Sequence, residues 1–230
     1  MASETEDRLR SIPIPPERVP VQQVTIRQVL LHEGAFWTVE RKGFDVCKKS
    51  LYCPSSGQTV YFEGASGAER VVKVNFKDGT EQFYEGEAEA EHVVKTVCTD
   101  GLQQFYKGGR GEEHMVEALL PNGHRQFFCD EKDRERLYMI MYPDGNLMYY
   151  SGPCQEERRT RFVFEGGTQQ FYEGPRGEER VVRVAWDDGE QTFFEGPHRQ
   201  ERRVRLLSHT GRQLFYEGEA GRERVVRIAL

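Results

Sequence analysis

The sequence predicts an all-β protein: an antiparallel meander of about sixteen strands, built from eight 22-residue β-hairpin repeats in an elongated single-layer or coiled sheet. Three observations carry this reading. Glycines recur at positions 57, 79, 101, 123, 145, 167, 189 and 211, mostly in turn dipeptides such as Asp78-Gly79, Asn122-Gly123, Asp144-Gly145 and Asp188-Gly189. A second series runs through Gly64, Gly86, Gly108, Gly152, Gly174, Gly196 and Gly218, with Asp130 in the one missing slot. Immediately ahead of it every unit carries two adjacent aromatics, from Tyr61-Phe62 to Phe215-Tyr216, so sixteen of the chain's 26 aromatic residues stand in two columns. A 22-residue period also suits two 11-residue units of a right-handed coiled coil, but two glycines per unit and runs such as VVKVNF and VVRVAW are turn and strand chemistry.

Each unit then reads in order. One strand ends at the aromatic pair, a glycine-containing loop follows, a second strand of the ERVVRV type returns, and a tight Asp-Gly turn leads onward. Ahead of the array, residues 1–20 are polar and proline-rich and read as a tail. Residues 21–56 form an N-terminal segment and a degenerate cap repeat, with Val21–Glu33 equally readable as helix or strand. The array occupies 57–230.

Counting outward from a two-residue type I′ turn puts Val74 opposite Phe83, Lys73 opposite Tyr84 and Val72 opposite Glu85. One face would collect Val72, Val74, Phe76 and Phe83. The other would carry a cation–aromatic ladder of Lys73 with Tyr84, Lys95 with Tyr106, Arg161 with Tyr172, Arg183 with Phe194 and Arg205 with Tyr216. A one-residue slip exchanges the faces. Counting inward from the glycine loop pairs Glu63 with Arg70, Glu85 with His92, Glu173 with Arg180, Glu195 with Arg202 and Glu217 with Arg224, a set of cross-strand contacts that fixes register.

Composition narrows the function classes. The chain has 230 residues, 37% hydrophobic, with mean hydropathy −0.72, and no run approaches the roughly 18 apolar residues of a membrane helix. MASETEDRLR shows no basic n-region followed by an apolar core, so a cytoplasmic location, open to cytoskeletal association, is the expectation. A net charge of −6 argues against generic nucleic-acid binding. Five cysteines, Cys47, Cys53, Cys98, Cys129 and Cys154, lack CxxC spacing and support neither a disulfide framework nor a zinc site. No nucleophile-elbow, phosphate-loop or metalloprotease motif occurs, and the many equivalent hairpins offer no asymmetric carboxylate pair. The expectation is a protein with no enzymatic activity, no cofactor and no metal.

The units YEGEAGRERVV, FYEGPRGEERVVRVAWDDGEQTFFEG and FKDGTEQFYEG resemble MORN repeats over roughly residues 57–230. A second resemblance is to the single-layer sheet of centriole-assembly scaffolds of the T-complex protein 10 type, and a third, weaker one to the aromatic hairpins of choline- and glucan-binding modules. All three are binding or assembly modules, which implies a scaffold or adaptor for protein partners, open to self-association and peripheral membrane contact. The alternative is a glycan- or anionic-lipid-binding module that uses the aromatic–arginine ladder.

The middle of the array breaks the pattern. Glu117 and Met139 interrupt the cation column, and Cys129-Asp130-Glu131-Lys132 replaces the usual loop. With the pairing above, Leu119, Phe128, Leu137, Met139, Met141, Met148 and Tyr150 would share one face. Methionine-rich patches suit adaptable recognition, so this patch is the expected partner site.

Overall fold

The computed structural model describes residues 24–30, 35–42, 45–65, 68–129 and 135–230. The proline-rich stretch 1–20 and Asp130, Glu131 and Lys132 of the central loop lie outside them. Three strands precede the array: β1 (Val24–Leu30), β2 (Phe36–Lys42) and β3 (Asp45–Cys53). Val21–Glu33 thus contains a strand rather than a helix. The array follows as β4 (Gln58–Glu63), β5 (Arg70–Asn75), β6 (Glu81–Glu85), β7 (His92–Val97), β8 (Gln103–Lys107), β9 (His114–Leu119), β10 (Arg125–Phe128) and β11 (Leu137–Met141). It continues through β12 (Leu147–Ser151), β13 (Arg158–Val163), β14 (Gln169–Glu173), β15 (Arg180–Ala185), β16 (Gln191–Glu195), β17 (Arg202–Leu207), β18 (Gln213–Glu217) and β19 (Arg224–Ala229). From β4 onward there are sixteen strands, each antiparallel to its sequence neighbours, in one open meander.

The turns correct the expected register. At the Asp-Gly turn the Phe76 amide donates to the Thr80 carbonyl at 2.8 Å, the Gly79 amide donates to the Phe76 carbonyl at 3.0 Å, and the Thr80 amide donates to Asp78 Oδ1 at 2.9 Å. The loop is therefore Lys77-Asp78-Gly79, three residues with Gly79 at φ +89°, rather than a two-residue type I′ turn. That extra residue slides the ladder by one: Lys73 lies opposite Phe83 and Val74 opposite Gln82. The other loop behaves as expected, with Glu63 opposite Arg70, Glu85 opposite His92, Glu173 opposite Arg180, Glu195 opposite Arg202 and Glu217 opposite Arg224. Both registers coexist because the second strand bulges. Tyr61 pairs with Lys73 but Phe62 pairs with Val71, which leaves Val72 as the extra residue. The same skip recurs at Val94, Val116, Tyr138, Thr160, Val182, Val204 and Val226.

Correct register gives two unlike faces. One carries the first aromatic of each pair with the cations, as in Tyr61, Lys73 and Phe83. Its opposite carries the second aromatic with the valines, as in Phe62, Val74 and Tyr84. Neither is covered by a second layer: among the described residues no large side chain falls below 2% exposure. Apart from Val39 on β2 and Glu179 in a glycine loop, the buried positions form a line along the valine face, with Val74, Thr96, Ala118 and Val184 in one 22-residue column and Met148 and Thr192 in the column beside it.

Two predictions follow from this packing. Thr96 is 6% exposed and its hydroxyl has no protein partner, where Val74 and Val184 occupy the equivalent slot. Thr96→Val is expected to raise stability by about 1 kcal/mol in a thermal or urea melt. Gly174 (φ +119°) and Gly177 (φ +84°) both require left-handed backbone, but an added Cβ would sit 2.8 Å from the Glu178 carbonyl at Gly174 and touch nothing at Gly177. Gly177→Ala should cost about 1 kcal/mol, and Gly174→Ala clearly more; equal losses would refute the loop geometry.

Candidate functional site

Three arrangements with chemical content repeat along the sheet, and one irregular region interrupts them. The first is the cation–aromatic ladder. Lys73 Nζ lies 5.8 Å from the Tyr61 ring centre and 5.2 Å from Phe83, and Lys95 lies 5.9 Å from Phe83 and 5.1 Å from Phe105. In the later repeats Arg161 stacks on Tyr149 at 4.1 Å, Arg183 on Phe171 at 3.8 Å, Arg205 on Phe193 at 3.9 Å and Arg227 on Phe215 at 3.8 Å. The ladder thus uses the first aromatic column, and Tyr84, Tyr106, Tyr172, Phe194 and Tyr216 stand on the other face. Cations also stand on that other face: Arg159 lies 5.5 Å from the Tyr172 ring and Arg203 4.9 Å from Tyr216.

The gap at Glu117 is filled from the opposite strand. Arg125 contacts Glu117 Oε1 at 2.5 to 2.8 Å and lies 5.6 Å from the Phe127 ring. This reverses the Lys73–Glu81 pair (2.7 Å), which spans the same eight-residue separation. Glu117 is therefore a substitution within the ladder rather than an interruption of it, and the charge reversal at i, i+8 is the signal that marks it in the sequence. Met139 has no such replacement.

The second arrangement is a series of carboxylates that reach back one repeat. The bulge turns an amide of each second strand outward, beyond the span that pairs with the next strand. The Val71 amide donates to Glu91 at 3.0 Å, Arg159 to Glu179 at 3.2 Å, and Arg203 to Glu223 at 3.1 Å, each twenty or so residues on. Glu91 is held below its ordinary value of about 4.5 chiefly by the Val71 amide, and Glu223 and Glu113 chiefly by their own amides, with the amides of Arg203 and Val93 adding to this. Glu179 is 6% exposed; burial opposes its ionisation, but its own amide, the Arg159 amide and the Arg159 guanidinium at 3.2 Å outweigh that and hold it low.

The third is the register column. Glu63 pairs with Arg70 at 2.7 Å, Glu173 with Arg180 at 3.9 Å and Glu195 with Arg202 at 3.7 Å. The same arginines reach forward: Arg70 donates to the Gly86 carbonyl at 3.0 Å and Arg180 to the Gly196 carbonyl at 2.7 Å, with Arg136 and Arg158 repeating this contact.

The surface of the irregular centre is concave in two places. A depression of about 360 Å³ is lined by Leu137, Tyr150, Glu157, Arg159, Arg176 and Glu179, and a second of about 320 Å³ by Val116, Glu117, Phe127, Phe128, Cys129 and Tyr138. The structure divides the expected methionine-rich patch. Leu119, Met139 and Met141 lie on the ladder face, opposite Arg125, Tyr149 and Leu147 respectively, whereas Phe128, Leu137, Met148 and Tyr150 lie on the valine face. Only a two-residue turn would bring all seven to one face, and the three-residue loop separates them. On the valine face the central repeats add an aromatic run, with His124 against Tyr142 at 4.9 Å, Tyr142 against Phe162 at 5.9 Å and Phe162 against Phe164 at 4.6 Å. Burial raises the phenol pKa of Tyr150 and of Tyr172.

No protein-family model matches the chain, and no curated protein matches it. Among the described residues no three His, Cys, Asp or Glu side chains converge as a metal site would require, and no helix is long and apolar enough to cross a membrane.

The carboxylate caps predict a pH dependence. A carboxylate whose folded pKa lies below its unfolded value binds fewer protons when folded, so its stabilisation is present above about 4.5 and is lost as the pH falls through the folded value. The melting temperature should fall between about pH 5 and pH 3, and Glu91→Gln with Glu223→Gln, which keeps an amide acceptor without the charge, should flatten that fall. An unchanged profile in the double variant would refute the assignment.

Proposed function

We propose that this protein is a non-enzymatic repeat scaffold or adaptor that binds protein partners along its extended sheet, with the central repeats as a preferred docking site. The observation that supports the reading is a concave surface on the valine face within the central repeats, where the sequence departs from the repeat pattern. There Leu137 and Tyr150 stand beside Arg159 and Arg176, with Glu157 and Glu179 completing the rim and Arg159 paired to Glu179 at 3.2 Å. Interfaces commonly take this form, with aromatic and arginine anchors in a partly enclosed pocket. Both faces of a single-layer sheet remain accessible, so a partner can lie along several repeats. A cytoplasmic, cytoskeleton-associated role is consistent with such an assembly module. The ladder gives less support to a glycan ligand, because stacked cations already cover the ring faces that a sugar would use.

Affinity capture from the source cell, followed by mass spectrometry, tests the reading. Tyr150→Ala with Leu137→Ser should lose a specifically retained partner, with stability falling by no more than about 1 to 3 kcal/mol. Met139→Lys with Met141→Lys should leave capture and melting unchanged, because the Met139 slot holds Lys73 and Lys95 in other repeats and both methionines face away from the depression. Loss of capture by the methionine variant, or its retention by the Tyr150 variant, would place the docking site elsewhere.

A further inference from the structure

The ladder face changes character along the sheet. Over β4 to β9 its strand residues include four cations, Arg70, Lys73, Lys95 and Lys107, against four acids, Glu63, Glu81, Glu85 and Glu117. From β13 to β19 there are eight arginines on this face against Glu173, Glu195 and Glu217 alone. Those glutamates lie opposite Arg180, Arg202 and Arg224. Arg161, Arg183, Arg205 and Arg227, the ladder residues proper, have no described carboxylate partner. The position that supplies Glu81 to Lys73 is glutamine in these repeats, Gln169, Gln191 and Gln213, and Gln191 accepts only a 3.3 Å hydrogen bond from Arg183.

From this we infer that β13–β19 present an anion-binding row for an acidic segment of a partner protein. Successive ladder arginines are two strands apart, about 10 Å, which is the span of three residues of extended chain; carboxylates at every third position would meet the row in step. The guanidinium groups are already stacked on their rings and half-buried except at Arg227, so little side-chain freedom is lost on binding. Exposed carboxylates favour a discrete chain over a membrane: Glu173 and Glu195 side chains are 67% and 65% exposed beside the row, and a planar anionic surface would press on them. A nucleic acid would need the ring faces for base stacking, and the guanidinium groups cover them. This row faces away from the central depression, so it stands or falls independently of the docking site proposed above.

The test uses the full chain and a fluorescent synthetic peptide with glutamate at every third position and serine or glycine between. Saturable binding that weakens with salt is expected. Gln191→Glu with Gln213→Glu copies the natural Lys73–Glu81 arrangement, so it should fold, keep the stacking and weaken peptide binding by about tenfold or more. Should it melt early, Arg183→Gln with Arg205→Gln is expected to give the same loss. Lys73→Gln with Lys95→Gln should bind within about twofold of the unaltered chain. The inference is overturned by absence of saturable peptide binding at low salt, by equal affinity in both glutamine-to-glutamate and unaltered proteins, or by tighter binding of phosphatidylserine-containing vesicles or a single-stranded oligonucleotide.

Discussion

One extra residue per hairpin governs this structure. The β-bulge at Val72 and its counterparts reconciles two loops that would otherwise demand different registers: the three-residue Asp-Gly turn, which sets Lys73 against Phe83, and the glycine loop, which sets Glu63 against Arg70. Without it, satisfying one loop would throw every side chain beyond the other onto the wrong face. The bulge also turns an amide outward, and the capping glutamates of the following repeat answer that donor. Register, facing and repeat-to-repeat attachment therefore share a single local cause.

A sheet with no second layer cannot be held by a conventional core. Its stability must come from contacts between neighbouring repeats, as in other quasi-one-dimensional proteins. Here each repeat is joined to the next by strand pairing, by a cation shared with an aromatic, by a carboxylate reaching back to a bulge amide, and by an arginine reaching forward to a glycine carbonyl. A cation–π contact contributes about 0.5 to 1 kcal/mol when exposed and a surface ion pair less, so no single contact decides the fold. Repetition does. The reversal of charge at Glu117 and Arg125 shows the constraint: the pair inverts, yet a cation still meets an aromatic ring on the same face.

The period, strand count and Glu–Arg register were legible because each depends on spacing alone. The facing of the aromatic pair was not, because an Asp-Gly dipeptide serves both a two-residue type I′ turn and a three-residue loop closed by a left-handed glycine. The choice moves Phe83 and Tyr84 to opposite faces and splits Met139 from Leu137. Evidence for the longer loop was present in the Lys73–Glu81 and Glu117–Arg125 pairs, whose reversed charges at a shared separation require both members on one face. The depression beside Arg159 was not legible, since its lining residues Leu137, Tyr150, Arg159 and Glu179 come from different strands and loops and meet only once the facing of each strand is known.

Net charge describes this molecule poorly. A value of −6 is an average over a ladder face that is balanced in the early repeats and basic in the late ones, with further acidic residues in the glycine loops, as at Glu87, Glu89 and Glu91. In a globular domain such contrasts are softened by curvature and by the low share of residues on any one face. In a single-layer sheet alternate residues of every strand are committed to one plane, so exchanging Glu81 for Gln191 in one column alters the charge of that whole plane. Unlike surfaces can then arise on one repeat by drift at a single slot, without any change to the backbone that carries them.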